Sequence, residues 1–142
     1  MSYIAPFANK RLQIAEIRLS GSPAANGYFT FHSLIDDTFD TAPTGLNSAT
    51  LSLPAGNYIF RAFMDITRSS TNDNYVFKWE AGGTLIGVEG RTAIADDTRS
   101  DAAEVPHDST STISLKLKCT SIEGSAPTLT SESRCYIWRV SN

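Results

Sequence analysis

Apolar residues recur at every second position along much of this chain, a pattern that suits extended strands with one buried face and excludes a helical bundle. The clearest stretch lies at 58–66, where Tyr58, Phe60, Ala62, Met64 and Ile66 share one face and Arg61 and Asp65 the other. Tyr75, Phe77 and Trp79 alternate with Lys78 and Glu80, and Ile113, Leu115, Leu117 and Cys119 with Ser114, Lys116 and Lys118. Near the end, Tyr136, Trp138 and Val140 alternate with Cys135, Ile137 and Arg139. Each of these segments reads as a half-buried strand.

Turn chemistry separates them. Thr-Leu-Ser-Leu at 50–53 runs into Pro54-Ala-Gly-Asn, whose proline presets φ and whose glycine accepts positive φ, so 50–53 and 58–66 read as a hairpin-like pair. Ala81-Gly82-Gly83 turns the chain into a return strand at 84–90, and Tyr28–His32 forms a strand after the turn at 23–27. Leu12 to Leu19 is read as a strand whose apolar phase slips between Ile14 and Ile17, as at a β-bulge, with a short amphipathic helix over 10–19 as the alternative. The polar segments 36–48, 95–111 and 120–133 are expected as loops. Many short strands with turns between them predict an all-β, two-sheet antiparallel sandwich or a barrel.

The length of 142 residues fits one domain, long enough to bury roughly two-thirds of the surface of the unfolded chain. Residues 1–9 are expected as an N-terminal arm and 10–142 as the folded domain. Formal net charge is −3, and Lys10 and Arg11 are the only adjacent basic pair. Neither nucleic acid nor a membrane surface is an expected partner. No stretch approaches the roughly 20 apolar residues of a spanning helix, and the N-terminus lacks a basic region followed by an apolar one. The chain is expected to be made without Sec-type export.

The search for reactive groups turns up no catalytic, cofactor or metal motif, so a non-enzyme is expected. His32 and His107 are the only histidines and stand outside any metal-ligand spacing. Asp36, Asp37 and Asp40, and Asp96, Asp97 and Asp101, are acidic clusters without the spacing of an EF-hand loop and read as solvated turns. Gly82-Gly83 and the pair Gly87 and Gly90 open no helix, as a phosphate-binding loop would. Cys119 and Cys135 read as buried free thiols.

The order of Leu51-Ser-Leu-Pro-Ala-Gly-Asn-Tyr-Ile-Phe-Arg-Ala, Asn74-Tyr-Val-Phe-Lys-Trp, Leu85-Ile-Gly-Val-Glu-Gly, Ser114-Leu-Lys-Leu and Ser133-Arg-Cys-Tyr-Ile-Trp-Arg-Val resembles tailed-phage structural proteins with a C1q/TNF-like jelly roll. The resemblance spans about residues 28–140. It implies a jelly-roll sandwich that packs as a homotrimer through an apolar, often aromatic, sheet face, with Tyr58, Phe60, Tyr136 and Trp138 the expected contacts. It also implies a virion structural protein: a capsid decoration, or cement, protein made in the host cytoplasm and bound to the major capsid protein on the outer capsid surface. Tyr3, Ile4, Pro6 and Phe7 give the arm apolar anchors for such docking. The alternative is the head domain of a tail fibre or spike that binds a host-surface receptor or glycan through the three long loops. Such a head usually needs a shaft, and no heptads or β-helix repeats supply one here.

Overall fold

The computed structural model describes residues 12–70, 72–92, 99–101 and 105–140. The expected arm, residues 1–9, therefore lies outside the described residues, as do Asp96 and Asp97. The regular elements among the described residues are all β-strands: β1 (Leu12–Ser20), β2 (Thr30–Asp37), β3 (Leu51–Leu53), β4 (Gly56–Thr67), β5 (Asn74–Ala81), β6 (Thr84–Arg91), β7 (Arg99–Asp101), β8 (Val105–Ser109), β9 (Ile113–Glu123), β10 (Thr128–Leu129) and β11 (Arg134–Val140).

The strands form two antiparallel sheets. The larger runs β2-β1-β11-β4, with β8, β7 and β10 following one another along the far edge of β4; the smaller runs β3-β9-β5-β6. Because β4 is 12 residues long, one strand accommodates three short partners in a row. Each sheet sends alternate side chains inward, as the sequence periodicity requires.

Aromatic rings join the layers. Phe60 of β4 meets Trp79 of β5 at 5.5 Å between ring centroids, and Trp79 stacks on Phe31 of β2 at 6.4 Å. Phe29 meets Tyr75 edge-on at 5.0 Å. Burying each such side chain is worth on the order of 1.5–3 kcal/mol. The one polar side chain at an inward position of β1, Gln13, is fully buried and donates to Asp40 Oδ2 at 3.1 Å, so the segment after β2 satisfies it.

Three local expectations are corrected by these pairings, and a fourth is located. Residues 50–53 and 58–66 do not form a hairpin: β3 pairs with β9 and β4 with β11, so Pro54 and Ala55 carry the chain from one sheet to the other. Tyr58 fixes that crossing by donating its hydroxyl to the Pro54 carbonyl at 2.7 Å. The segment 12–19 is the expected strand, β1, with Gln13, Ala15, Ile17 and Leu19 inward, and the expected irregularity falls in its pairing with β2, where the register shifts between Glu16 and Ile17 and again between Arg18 and Leu19. Ile14 and Ile17 differ in phase because Ile14 faces outward. The expected loop at 95–111 contains β7 and β8, and that at 120–133 contains the end of β9 and β10. Their polar side chains hid them, since each is short and lies on or near a sheet edge.

The turns behave as their residues suggest. Gly82 and Gly83 have φ of 59° and 83°, the paired positive values of a two-residue hairpin turn between β5 and β6. A second fixed point ties two turns together. Asp73, nearly buried, accepts from Ser69 Oγ at 2.7 Å, from the amides of Ser69 and Ser70 at 3.2 and 3.0 Å, and from the amide of Ser125 at 2.9 Å. Those donors hold its carboxyl below the ordinary range, the Ser125 amide most strongly. Gly124 beside it has φ of 67°, and a Cβ there would lie 2.5 Å from Asp73 Oδ1.

Candidate functional site

The outward face of the larger sheet is the candidate site, and its layout follows from strand register. Across β1, β11 and β4 the outward rows read Leu12 and Val140; then Ile14, Trp138 and Ile59; then Glu16, Tyr136 and Arg61; then Arg18, Arg134 and Phe63. Leu12, Val140 and Ile59 are 57, 42 and 37% exposed, while Ile14, Trp138, Tyr136 and Phe63 are half-buried by one another. The result is an apolar strip three strands wide.

The aromatic residues in the strip support each other. Tyr136 stacks on Trp138 at 5.6 Å and meets Phe63 edge-on at 5.9 Å, and the Arg61 guanidinium lies 4.7 Å from the Phe63 ring centroid. Charged groups frame one end. Arg134 Nη1 donates to Glu16 Oε1 at 2.7 Å and Arg134 Nη2 sits 3.4 Å from Glu132 Oε2. Glu16, through this bond, makes the guanidinium harder to deprotonate. Between them, Phe63, Met64, Asp65, Glu132, Arg134 and Tyr136 line a surface depression of about 250 Å³.

Four aromatics were expected on the association face, and the structure separates them into two pairs. Tyr58 and Phe60 are 2 and 0% exposed, stacked on each other at 5.7 Å inside the sandwich, so they are not available to a second molecule. Tyr136 and Trp138 point outward because β11 turns Cys135 and Ile137 into the core instead. Ile14, Ile59, Arg61 and Phe63 complete the surface but were not among the expected contacts. A signal for them existed: Arg134–Val140 is apolar on both faces, as expected of a central strand covered on both sides, and Ile59 and Phe63 occupy the supposedly polar face of β4.

The reactive groups remain dispersed. His32 is exposed on β2 with its Nδ1 3.1 Å from Ser33 Oγ, whereas His107 lies in β8, not in a loop, with its ring 6.1 Å from Phe60. Asp36 Oδ1 accepts from the Asp37 amide and Asp37 Oδ1 from the Phe39 amide, both at 2.8 Å, which are turn-forming bonds. Among the described residues no group of three or more His, Cys, Asp or Glu side chains is placed to hold a metal ion. Cys119 and Cys135 are free and buried, and burial pushes the Cys119 thiol up to about 11 and the Cys135 thiol higher still. No helix among the described residues is long and apolar enough to cross a membrane.

Comparison with known proteins identifies the fold. No protein-family model matches the chain, and no curated protein matches it in sequence. Among solved structures, it is similar to the globular domain of zebrafish complement 1qA protein, with a TM-score of 0.61 and 7% identity over 92% of this chain and 96% of that one. It is similar also to murine APRIL at pH 8.0, with a TM-score of 0.60 and 5% identity over 91% of this chain and 99% of that one. The domain is thus an all-β sandwich with the C1q/TNF-like jelly-roll fold.

Proposed function

We propose that the domain is a non-enzymatic structural module that associates as a homotrimer through the outward face of β1, β11 and β4. The observation that carries this is the apolar strip built on Trp138, Tyr136, Phe63 and Ile59, on a face of the larger sheet that the smaller sheet does not cover. Water contact with such a strip is costly, and a neighbour burying about 800 Å² per protomer would remove it. A homotrimer is built from heterologous contacts that close into a ring.

For the particular role we propose a capsid decoration protein, a reading supported by the resemblance of the sequence segments to tailed-phage jelly rolls. In this role the trimer binds the major capsid protein on the outer surface of the virion and stabilises the shell, with Tyr3, Ile4, Pro6 and Phe7 docking as anchors. The binding energy adds to the shell only while the protein is bound, so particles lacking it should assemble normally yet release DNA at lower temperature. Unchanged heat resistance overturns the cement role, and a few copies at the tail tip instead of many on the capsid favours the fibre-head alternative. Association is tested separately. Sedimentation equilibrium should give three protomers for the native chain and one for Trp138→Asp; a native monomer at micromolar concentration overturns the trimer.

A further inference from the structure

The connection from β1 to β2 carries the only Asn-Gly dipeptide in the chain, Asn26-Gly27. Residues 24–27 form a turn closed by the Gly27 amide, which donates to the Ala24 carbonyl at 2.9 Å. Asn26 has φ of 68° at the third position, where such a turn takes glycine or asparagine. Both residues then face Cys119 of β9: the Asn26 amide donates to the Cys119 carbonyl at 2.7 Å, and the Cys119 amide to the Gly27 carbonyl at 2.8 Å. Two residues opposite one, the first with positive φ, make a β-bulge of the kind that usually places glycine first. Asparagine is among the few residues with a side chain that tolerate that conformation.

The same pair is chemically reactive. Asn26 is exposed, and its side chain takes no part in the hydrogen bonds of the turn and bulge, which are all made by backbone groups. Gly27 has no Cβ, so its backbone nitrogen is open to approach from that side chain. An amide nitrogen attacks a carbonyl carbon only after giving up its proton, and here that proton is held by the Ala24 carbonyl. Asn47 is the other residue with a side chain at positive φ among the described residues, but it precedes Ser48, whose Cβ crowds the corresponding nitrogen.

We propose that Asn26 is a site of spontaneous deamidation, gated by opening of the turn at 24–27. When the bond from Gly27 to Ala24 opens, the Gly27 nitrogen loses its proton and bonds to Asn26 Cγ; the bond from Cγ to Nδ2 breaks, and the amine takes up a proton and leaves as ammonia. Water then opens the five-membered succinimide ring at either carbonyl, giving aspartate or isoaspartate with no oxidant or reductant consumed. Aspartate keeps the backbone and adds one negative charge. Isoaspartate adds a methylene to the main chain between the Asn26 amide and the Gly27 carbonyl, so the two bonds to Cys119 no longer fit one bulge. Phe29, two residues beyond Gly27 and fully buried against Tyr75, then loses a fixed point of its entry into the core. The site lies beside β9 of the smaller sheet, so it does not depend on association through the larger one.

Peptide mapping by mass spectrometry of the full chain, aged at mildly alkaline pH, tests this through the mass gain of an amide-to-acid exchange. Asn26 should convert ahead of every other asparagine in the folded chain, yet about tenfold or more slowly than in the urea-unfolded chain, because only open turns react. Its rate should stay within about twofold as urea rises to just below the unfolding transition, since the opening is local. Asn26→Gly, which keeps the positive φ of the bulge, should fold as the native chain does and show no mass gain in this peptide. Asn26→Asp should melt with the fresh protein, and aged protein rich in isoaspartate should melt lower. An Asn26 that stays intact in the folded chain, or converts no faster than the other asparagines, overturns the site. Equal rates in the folded and unfolded chains, or a rate that climbs only with global unfolding, overturn the gate, and aged protein that melts with the fresh overturns the effect on the bulge.

Discussion

The two outward faces of the sandwich arise from the same alternating pattern but carry opposite chemistry. On the larger sheet the outward positions of β1, β11 and β4 hold Ile14, Trp138, Tyr136, Ile59 and Phe63, so side chains that would ordinarily be inside stand on a surface. On the smaller sheet the outward positions of β5 and β9 hold Lys78, Glu80, Lys116 and Lys118, with Tyr28 beside Lys116, Lys118 and Glu80. Inward rows are nearly interchangeable in character, because a close-packed core asks only for apolar volume of the right shape. Outward rows are free of that demand, so what they carry reflects what each face meets.

The two tryptophans offer the largest test of this contrast. Trp79→Ala empties the aromatic centre between the sheets and should cost about 3–5 kcal/mol of stability by urea denaturation. Trp138→Ala should change the unfolding free energy of the protomer by less than about 1 kcal/mol while weakening association by a hundredfold or more, since centrally placed aromatics dominate interfaces. Equal stability losses at both sites would erase the distinction between core and association face. Gly124→Ala comes next, expected to cost about 1–3 kcal/mol because positive φ and contact with Asp73 both oppose a Cβ. Thermal melts at neutral pH measure it.

Acid should act on the Asp73 junction. Its carboxyl is held below the ordinary range when folded, so its stabilisation is present above the unfolded value and is lost as pH falls through the lower folded value. Asp73→Asn should therefore lose less stability than the native chain between neutral pH and a pH below about 4. Parallel losses in both proteins would remove Asp73 from the acid response. The smallest expected effect lies on the cationic face. Lys78→Gln relieves the opposition to Lys118 and should stabilise the protomer by about 0.2–1 kcal/mol, read from the shift of the urea midpoint. A loss instead would mean that an unrecognised partner balances the lysines.

Much of the fold was legible because burial imposes its period directly on the residues. β4, β5, β9 and β11 were all found from alternation, and the Gly82-Gly83 turn from its composition. The candidate site was legible only in part. Tyr136 and Trp138 emerged as surface residues, but Tyr58 and Phe60, equally aromatic and equally periodic, belong to the core. Aromatic character marks a wish for burial without saying whether the burying partner is the same chain or another.

Alternation along the sequence determined that this protein is all-β and, strand by strand, which residues share a side. Tertiary structure decided which side is inside, which strands are neighbours and where the chain changes sheets. The physical reason is that side-chain period is local, set by the extended backbone, whereas strand pairing is a contact between distant residues. Leu53 and Gly56 are separated by two residues yet belong to different sheets, while Glu16 and Arg134, far apart in the chain, share an ion pair.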